Sequence, residues 1–492
     1  MNFRLITYIT GQIMRVEGLL MLIPYVCALL YGEASALALA IPLSLLILLG
    51  TLMTLREPGR RDQMNARDGL FIVGLAWIVM SLFGMLPFML CGAITNPIDA
   101  FFETVSGFTT TGATVLGDAT GVFPEDLDRG IALWRAFTHW IGGMGVLVFV
   151  LAVMPQQNFK SARLMHVMRA EMPGPVATKV VATIRHSARI MYEIYIGMTL
   201  LETLLLLFGG MSFYDALLHS FSTAGTGGFS NMNASVGAYD SSYIHWVITV
   251  FMLLFSVNFN LYYLILVGHV SQAIRSEELR WFLLIVGGST AVITLSILPG
   301  YEHFSLALRD AAFNVASFIS TTGYGTANFE TWPQLAQTVL ILLMFVGACT
   351  GSTCGGLKIG RLLILFKNAF REVRTMLHPR EIRVVRSEGK AVEEETVKSV
   401  NAYFALYMLI FAVSMFLLQL LHPTDFLTSF TAVASCLNNV GPGLGKIGPT
   451  LGGSFGFYHA GAKLLLSLDM LLGRLEIFPV LILFLPSAWR KK

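Results

Sequence analysis

What most constrains the folding of this chain is a series of apolar runs long enough to cross a bilayer, at roughly residues 11–30, 36–55, 69–91, 131–154, 190–209, 244–267, 281–298, 331–366, 402–421 and 460–485. About 20 helical residues span the hydrocarbon, where only helices or closed barrels satisfy their own backbone groups, and runs this continuous specify helices. Composition agrees: with 55% hydrophobic and 13% charged residues, too little polar surface remains to cover a soluble globule. The chain therefore reads as an all-α integral membrane protein. Its first run begins near Ile6 and is too long for a signal-peptide core, so it is expected as a retained helix.

The net charge of +3 says less than its distribution. Arg56, Arg60, Arg61 and Arg67 share one inter-helix segment. Lys160, Arg163, Arg169, Lys179, Arg185 and Arg189 share a second, and the stretch after Lys358 is richer still. By the positive-inside rule these loops and the Trp489-Arg490-Lys491-Lys492 tail face the cytoplasm, and both termini with them. Cys27, Cys91, Cys349, Cys354 and Cys436 fall mostly in apolar or glycine-rich stretches, so neither a disulfide framework nor a metal site is expected.

Four related loops recur among the later runs: Thr110-Thr111-Gly112-Ala113, Thr223-Ala224-Gly225-Thr226, Thr321-Thr322-Gly323-Tyr324-Gly325 and Asn439-Val440-Gly441-Pro442-Gly443. In cation filters, backbone carbonyls replace the water around an ion, and a central glycine lets them point at one axis. The expected ion ligands are Thr110, Thr111, Gly112, Thr223, Ala224, Gly225, Thr321, Thr322, Gly323, Asn439, Val440 and Gly441, with K+ as the ion carried and no cofactor bound. Two runs precede the repeats, and the other eight bracket the loops in pairs. The expected architecture is two leading helices followed by four helix, pore-helix, helix repeats in pseudo-fourfold arrangement. Its divisions are 1–68, 69–188, 189–280, 281–398 and 399–492.

A short helix is expected before each loop, begun by Asn96-Pro97-Ile98-Asp99, Ser212-Phe213-Tyr214-Asp215, Arg309-Asp310 and His422-Pro423-Thr424-Asp425, because acids belong at the positive end of a helix. The spacing from acid to loop glycine is uneven, from Asp215–Gly225 to Asp425–Gly441, which makes the repeats approximate.

One break reads as unrepeated. The run from Thr331 is interrupted by Gly347-Ala348-Cys349-Thr350-Gly351-Ser352-Thr353-Cys354-Gly355-Gly356, about 22 Å of helix below Trp332. Gly347, Gly351, Ser352, Thr353, Gly355 and Gly356 are candidate gate residues. Arg474 lies near mid-membrane, where a charge needs a reason. It reads either as a fixed charge beside the permeation path or as the partner of Glu476, Asp469 or another acid. Arg135, Glu202, Asn258, Asn260 and Lys463 read as stitches between helices. His139 reads as a structural hydrogen-bonding residue rather than a proton relay.

Catalytic readings find little support: no HExxH motif, no paired histidines at helical spacing and no P-loop are present. The basic loop 367–398, with Arg371, Arg374, Arg380, Arg383 and Arg386, reads equally as topology signal with lipid contact and as a docking face.

Several motifs together carry a resemblance to a family: 108–114 (Phe-Thr-Thr-Thr-Gly-Ala-Thr), His139-Trp140-Ile141-Gly142-Gly143-Met144-Gly145, 170–175 (Ala-Glu-Met-Pro-Gly-Pro), 221–229, Asn258-Phe259-Asn260, 351–356 and 436–444. The chain resembles, nearly end to end, the TrkH family of bacterial Trk potassium uptake subunits within the wider Trk/Ktr/HKT group. The resemblance implies a homodimer in the inner membrane with one pore per subunit. It implies that the broken helix is an intramembrane gate and that Arg474 is the charged residue of the pore. Glycine at all four filter positions goes with potassium selectivity in this family. The resemblance also implies a cytosolic partner, a ring of TrkA-type subunits binding NAD(H) or adenine nucleotides, and no nucleic acid. A gated channel, a proton- or sodium-coupled symporter and a sodium-permeable relative remain open on one scaffold.

Overall fold

The computed structural model describes residues 2–56, 66–145, 184–381, 383–448 and 453–489. Arg60, Arg61, the side chains of Arg67 and Arg185, the basic residues from Lys160 to Lys179, the 170–175 motif and Arg490 to Lys492 lie outside what is described. Among the described residues, six helices are long and apolar enough to span a membrane: Phe3–Tyr31, Ser35–Thr54, Asp68–Leu90, Ala188–Phe208, Glu277–Gly300 and Glu394–Leu421. The first two are the leading helices, and the other four each open a repeat as its outer helix.

Helices of the second set, here the inner helices, stop early. They are Arg129–Gly143, Ser242–Phe255, Gln334–Val346 and Ala460–Arg474, of 15, 14, 13 and 15 residues. At a rise of 1.5 Å per residue they reach about 20–22 Å, short of the roughly 30 Å of hydrocarbon. Each stop has a local cause. Gly145 turns to φ 78° after the first. Asn258 caps the N–H of Asn260 after the second, and the chain resumes as Phe259–Leu266 at 92° to its former course. Gly347 takes φ 66° after the third, and Glu476 and Ile477 take φ 54° and 70° after the fourth. The expectation of one unrepeated break is therefore corrected: each of the four inner helices stops after 13–15 residues, and after the third an irregular stretch precedes Ile359–Leu377.

The short helices are Pro97–Phe108, Phe213–Gly225, Phe304–Ile319 and Phe426–Asn438. Asn96, Ser212 and Asp425 cap three of them, accepting from the N–H of Ile98, Asp215 and Thr428. The third begins at Phe304 without a side-chain cap, so Arg309-Asp310 lies within the helix and not at its start.

Contacts among these elements close on themselves. Each short helix packs on the outer and inner helices of its own repeat. The first also packs on Ala460–Arg474, the second on Arg129–Gly143, the third on Ser242–Phe255 and the fourth on Gln334–Val346. Every short helix thus meets the inner helix of the preceding repeat, and the fourth repeat meets the first. Buried aromatics, among them Phe102, Phe108, Trp134, Phe137 and Phe229, fill the layer around the short helices. Beyond the third inner helix, Ile359–Leu377 leads to a two-stranded hairpin pairing Arg386 with Ala391 and Ser387 with Lys390.

Candidate functional site: four apex loops and the break beneath them

Each short helix ends in the same way. Its last turn is followed by a residue in left-handed backbone: Thr110, Thr226, Thr321 and Asn439, at φ 55°, 55°, 56° and 55°. The next N–H returns to a carbonyl five residues back, in the pairs Thr111–Ser106, Gly227–Ser222, Thr322–Ser317 and Val440–Ser435, all at 2.9 Å. This is a Schellman ending, which satisfies helix carbonyls that would otherwise be orphaned. The third residue is in every case a glycine with positive φ: Gly112, Gly228, Gly323 and Gly441.

The geometry corrects the sequence reading of the second loop. Thr223, Ala224 and Gly225 form the last turn of the short helix, and Thr226-Gly227-Gly228 occupies the loop. Gly225 is small for another reason: a Cβ there would lie 2.2 Å from the carbonyl oxygen of His139 on the neighbouring inner helix. A signal for the right register was present in the sequence. Asp99, Asp215 and Asp310 each precede the third loop residue by thirteen positions once Gly228 is taken, so the spacing judged uneven is regular in three repeats.

The third-position glycines interlock. A Cβ on Gly112 would lie 2.0 Å from the carbonyl oxygen of Gly227, one on Gly228 1.9 Å from that of Thr322, one on Gly323 2.1 Å from that of Val440, and one on Gly441 2.6 Å from that of Thr111. Each quarter thus abuts the next in cyclic order. The Gly112 position is also 3.7 Å from the Thr322 oxygen of the opposite quarter, so all four loops meet closely.

Buried polar contacts hold the loops from behind. Glu103 accepts from the N–H of Val115 at 2.8 Å and pairs with Arg135 at 2.7 Å, and Arg135 donates onward to the Ser230 carbonyl at 3.0 Å, tying the first loop to the second. Lys463 pairs with Asp99 at 2.6 Å, joining the fourth repeat to the first. Asn439 donates to Thr111 Oγ1 at 3.0 Å and to the Met470 carbonyl at 2.9 Å, and Asn438 to the Ala434 carbonyl at 2.8 Å. Arg135 and Lys463 were read as stitches and stand in that geometry.

The break lies directly under these loops. The N–H of Gly355 donates to Thr321 Oγ1 at 2.8 Å, and a Cβ on Gly355 would lie 2.3 Å from the Asn438 carbonyl oxygen. Gly347 and Gly356 close its two ends against each other, and a Cβ on Gly356 would lie 2.9 Å from Gly347 Cα. Gly351 sits on Asn258, its carbonyl accepting from the N–H of Phe259 at 3.1 Å. Ser352 donates to the Cys349 carbonyl at 2.6 Å and Thr353 to the Phe255 carbonyl at 3.3 Å.

Arg474 joins the break to the first inner helix. It donates to the Thr353 carbonyl at 2.6 Å, to the Gly143 carbonyl at 2.7 Å and to that of Gly142. Those glycines end a helix, where unpaired carbonyls and the negative end of the dipole suit a guanidinium. Glu476 pairs with Arg361, and Asp469 accepts from Ser414 at 2.7 Å.

Sequence reasoning missed Glu278. Its carboxylate accepts from the N–H of Thr350 at 2.7 Å and of Gly360 at 2.9 Å, tying the break to the first turn of the helix that follows it. Glu388, at the hairpin tip, in turn accepts from Ser276 Oγ at 2.8 Å and the N–H of Glu277 at 3.0 Å, capping the helix that carries Glu278. The sequence reading, which finds no GxSxG motif, is corrected at Gly452-Gly453-Ser454-Phe455-Gly456, which has the letters of a hydrolase nucleophile elbow. Ser454 Oγ instead donates to the Val115 carbonyl at 3.1 Å, in a loop bridged to Thr114.

This geometry can be set beside known proteins. Residues 38–491 match the family described as TrkH, cation transport protein. The chain is 35% identical over 495 residues to the Trk system potassium uptake protein TrkH of Halomonas elongata, covering all of both chains. It is 35% identical to TrkH of Escherichia coli K12 over 497 residues, again covering all of both, and 35% to TrkG of the same strain over 99% of each. The crystal structure of the potassium transporter TrkH from Vibrio parahaemolyticus superposes with a TM-score of 0.88 at 34% identity and full coverage of both chains. With a match over almost the whole chain in sequence and in fold, this protein belongs to the TrkH family of multi-pass, non-enzymatic cation transport proteins.

Proposed function

We propose that the chain takes up potassium across a bacterial inner membrane through one pore built from its four repeats, 69–188, 189–280, 281–398 and 399–492, with 1–68 as the leading pair. The ion sheds its water between Thr110-Thr111-Gly112, Thr226-Gly227-Gly228, Thr321-Thr322-Gly323 and Asn439-Val440-Gly441, whose carbonyls replace it. The observation that carries this reading is the cyclic glycine-to-carbonyl abutment of the four loops, which brings four carbonyl strands together and leaves no room for a side chain. Potassium as the ion comes from the relatives, which are potassium uptake proteins by name.

The break from Gly347 to Gly356 is the gate, held shut by Arg474 and hung from Thr321. A TrkA-type ring, sensing NAD(H) or adenine nucleotides, would act on it through the cytoplasmic hairpin. The basic loop supports a specific docking face better than a diffuse lipid patch, since Arg371 pairs with Glu394 at 2.8 Å and Arg383 with Glu381 at 2.5 Å, so that part of its charge is paired within the loop. A homodimer fits the exposed apolar stripe Phe366, Phe370, Val373 and Leu377.

Coupled transport is the second reading, favoured by one observation: Glu202 is a carboxylate fully buried among the helices. It lies near Thr223 of the second short helix and Tyr324 of the third loop. The test is flux into liposomes holding the purified chain, comparing potassium, rubidium and sodium under an imposed voltage and then a pH gradient. Potassium and rubidium flux that follows voltage alone supports the gated pore. Flux driven by the pH gradient overturns it in favour of a symporter, and equal sodium flux makes the chain a sodium-permeable relative.

A further inference from the structure

We propose that His139 is a positioning residue for ion selectivity, supplying from the first repeat the side chain that the second loop lacks. The inference rests on the filter reading above and goes beyond it. The middle residues of three loops, Thr111, Thr322 and Val440, bring buried side chains of their own, whereas the fourth is Gly227. A Cβ added to Gly227 would lie 2.3 Å from Cγ and Nδ1 of His139 and 2.5 Å from its Cδ2. The imidazole therefore fills the volume into which a residue 227 side chain would project.

The ring is well placed to act as that side chain. It stacks on Phe229 with centroids 4.1 Å apart and planes 23° from parallel, and its Nδ1 is 3.3 Å from Ser222 Oγ. Ser222 also gives the carbonyl that receives the Gly227 N–H. One helical turn earlier, Arg135 sets its guanidinium 3.5 Å from the centre of the Phe229 ring. Phe229 follows Gly228 directly, so both sides of the glycine pair are pinned by one face of the first inner helix.

The physical need is clear from the residue itself. Glycine is the least restrained residue along the backbone, and two in succession would leave the second quarter's carbonyls freer than those of the other three. Selectivity depends on where those carbonyls sit and on the field they make. His139 removes that freedom without placing a Cβ on the loop. Gly227 is not in left-handed backbone, so a branched side chain is compatible with its conformation once the ring is gone.

The test compares potassium-to-sodium flux ratios in liposomes for the full chain and five variants. His139→Ala and Gly227→Val are each expected to lower the ratio at least tenfold. His139→Ala combined with Gly227→Val is expected to return to within about threefold of the unsubstituted chain, because valine, as at Val440, refills the volume. His139→Phe, which keeps a flat ring, should stay within the same range. An unchanged ratio in His139→Ala overturns the proposal, as does a double variant no better than either single one. If a single variant fails to fold, the double variant and His139→Phe still decide. Gly228→Ala serves as the control: if it too leaves the ratio unchanged the filter reading fails, whereas a shifted Gly228→Ala ratio beside an unchanged His139→Ala ratio removes this inference alone.

Discussion

Threonine is an awkward residue for left-handed backbone, at a cost of roughly 1–2 kcal/mol, yet Thr110, Thr226 and Thr321 all hold it where glycine would be free of strain. Strain kept at three equivalent positions points to a use for the hydroxyl. Thr321 shows one, accepting from Gly355 in the break. The same comparison assigns the second loop, and the assignment can be checked. Gly228→Ala is expected to degrade potassium selectivity, since its Cβ would lie 1.9 Å from the Thr322 oxygen. Gly225→Ala is expected to reduce folded yield, because its Cβ meets the backbone of a helix. Flux ratios and size-exclusion recovery separate the two outcomes, and the reverse pattern would restore Thr223-Ala224-Gly225 as the filter. Gly112→Ser should also relax selectivity, by displacing Gly227 of the adjoining quarter; an unchanged ratio would count against the site. In the first, third and fourth loops the first glycine after the short helix takes the third position. The second was misread because Gly225, Gly227 and Gly228 offer three candidates, and only the end of the helix decides among them.

At the scale of the element, an inner helix that stops after about 14 residues leaves backbone groups at a depth where water is scarce, and each stop is covered by protein. The third break was visible in the sequence through its density of Gly, Ser and Thr. The second and fourth were not, because Asn258 and the Glu476-Ile477 pair break their helices without glycine. Glu278 makes the third break a defined loop, and Glu388 extends the connection to the cytoplasmic hairpin. Glu388 itself sits at φ 51°, a further strained position with an evident contact. Glu278→Ala removes the acceptor for two N–H groups, one within the loop and one in the helix that follows it, each charge-assisted bond contributing about 1.5–3 kcal/mol. It is expected to raise basal potassium flux severalfold with the potassium-to-sodium ratio unchanged, as is deletion of residues 351–356. Basal flux no greater than that of the unsubstituted chain in either variant would mean that this loop does not close the path.

For the whole molecule, the decisive contact is the one that joins the last repeat to the first. Apolar periodicity reveals helices and repeated loops reveal quarters, but neither shows that a chain of four quarters closes, since closure depends on residues 364 positions apart. Lys463 and Asp99 make that join as a buried ion pair at 2.6 Å, with 5% and 12% of their side-chain surface exposed. The second and third short helices have an acid at the matching position, but Asp215 bonds Asn231 at 2.7 Å and Asp310 pairs with Arg309 at 2.9 Å. Only the seam between first and fourth repeats, among the described residues, pairs this acid with a lysine of the preceding inner helix. Removing one member of a buried pair leaves the other as an uncompensated charge, at a cost of about 3–5 kcal/mol, whereas replacing both with apolar residues of similar volume is often neutral. Lys463→Met and Asp99→Leu are therefore each expected to lower the thermal midpoint in detergent by several degrees, and the double variant to recover most of that loss. A double variant that sums the two losses would show that the pair contributes through separate contacts. Recovery with selectivity intact would show that the seam needs complementary packing more than it needs charge, and that the ring of four loops is kept in register by the helices around it.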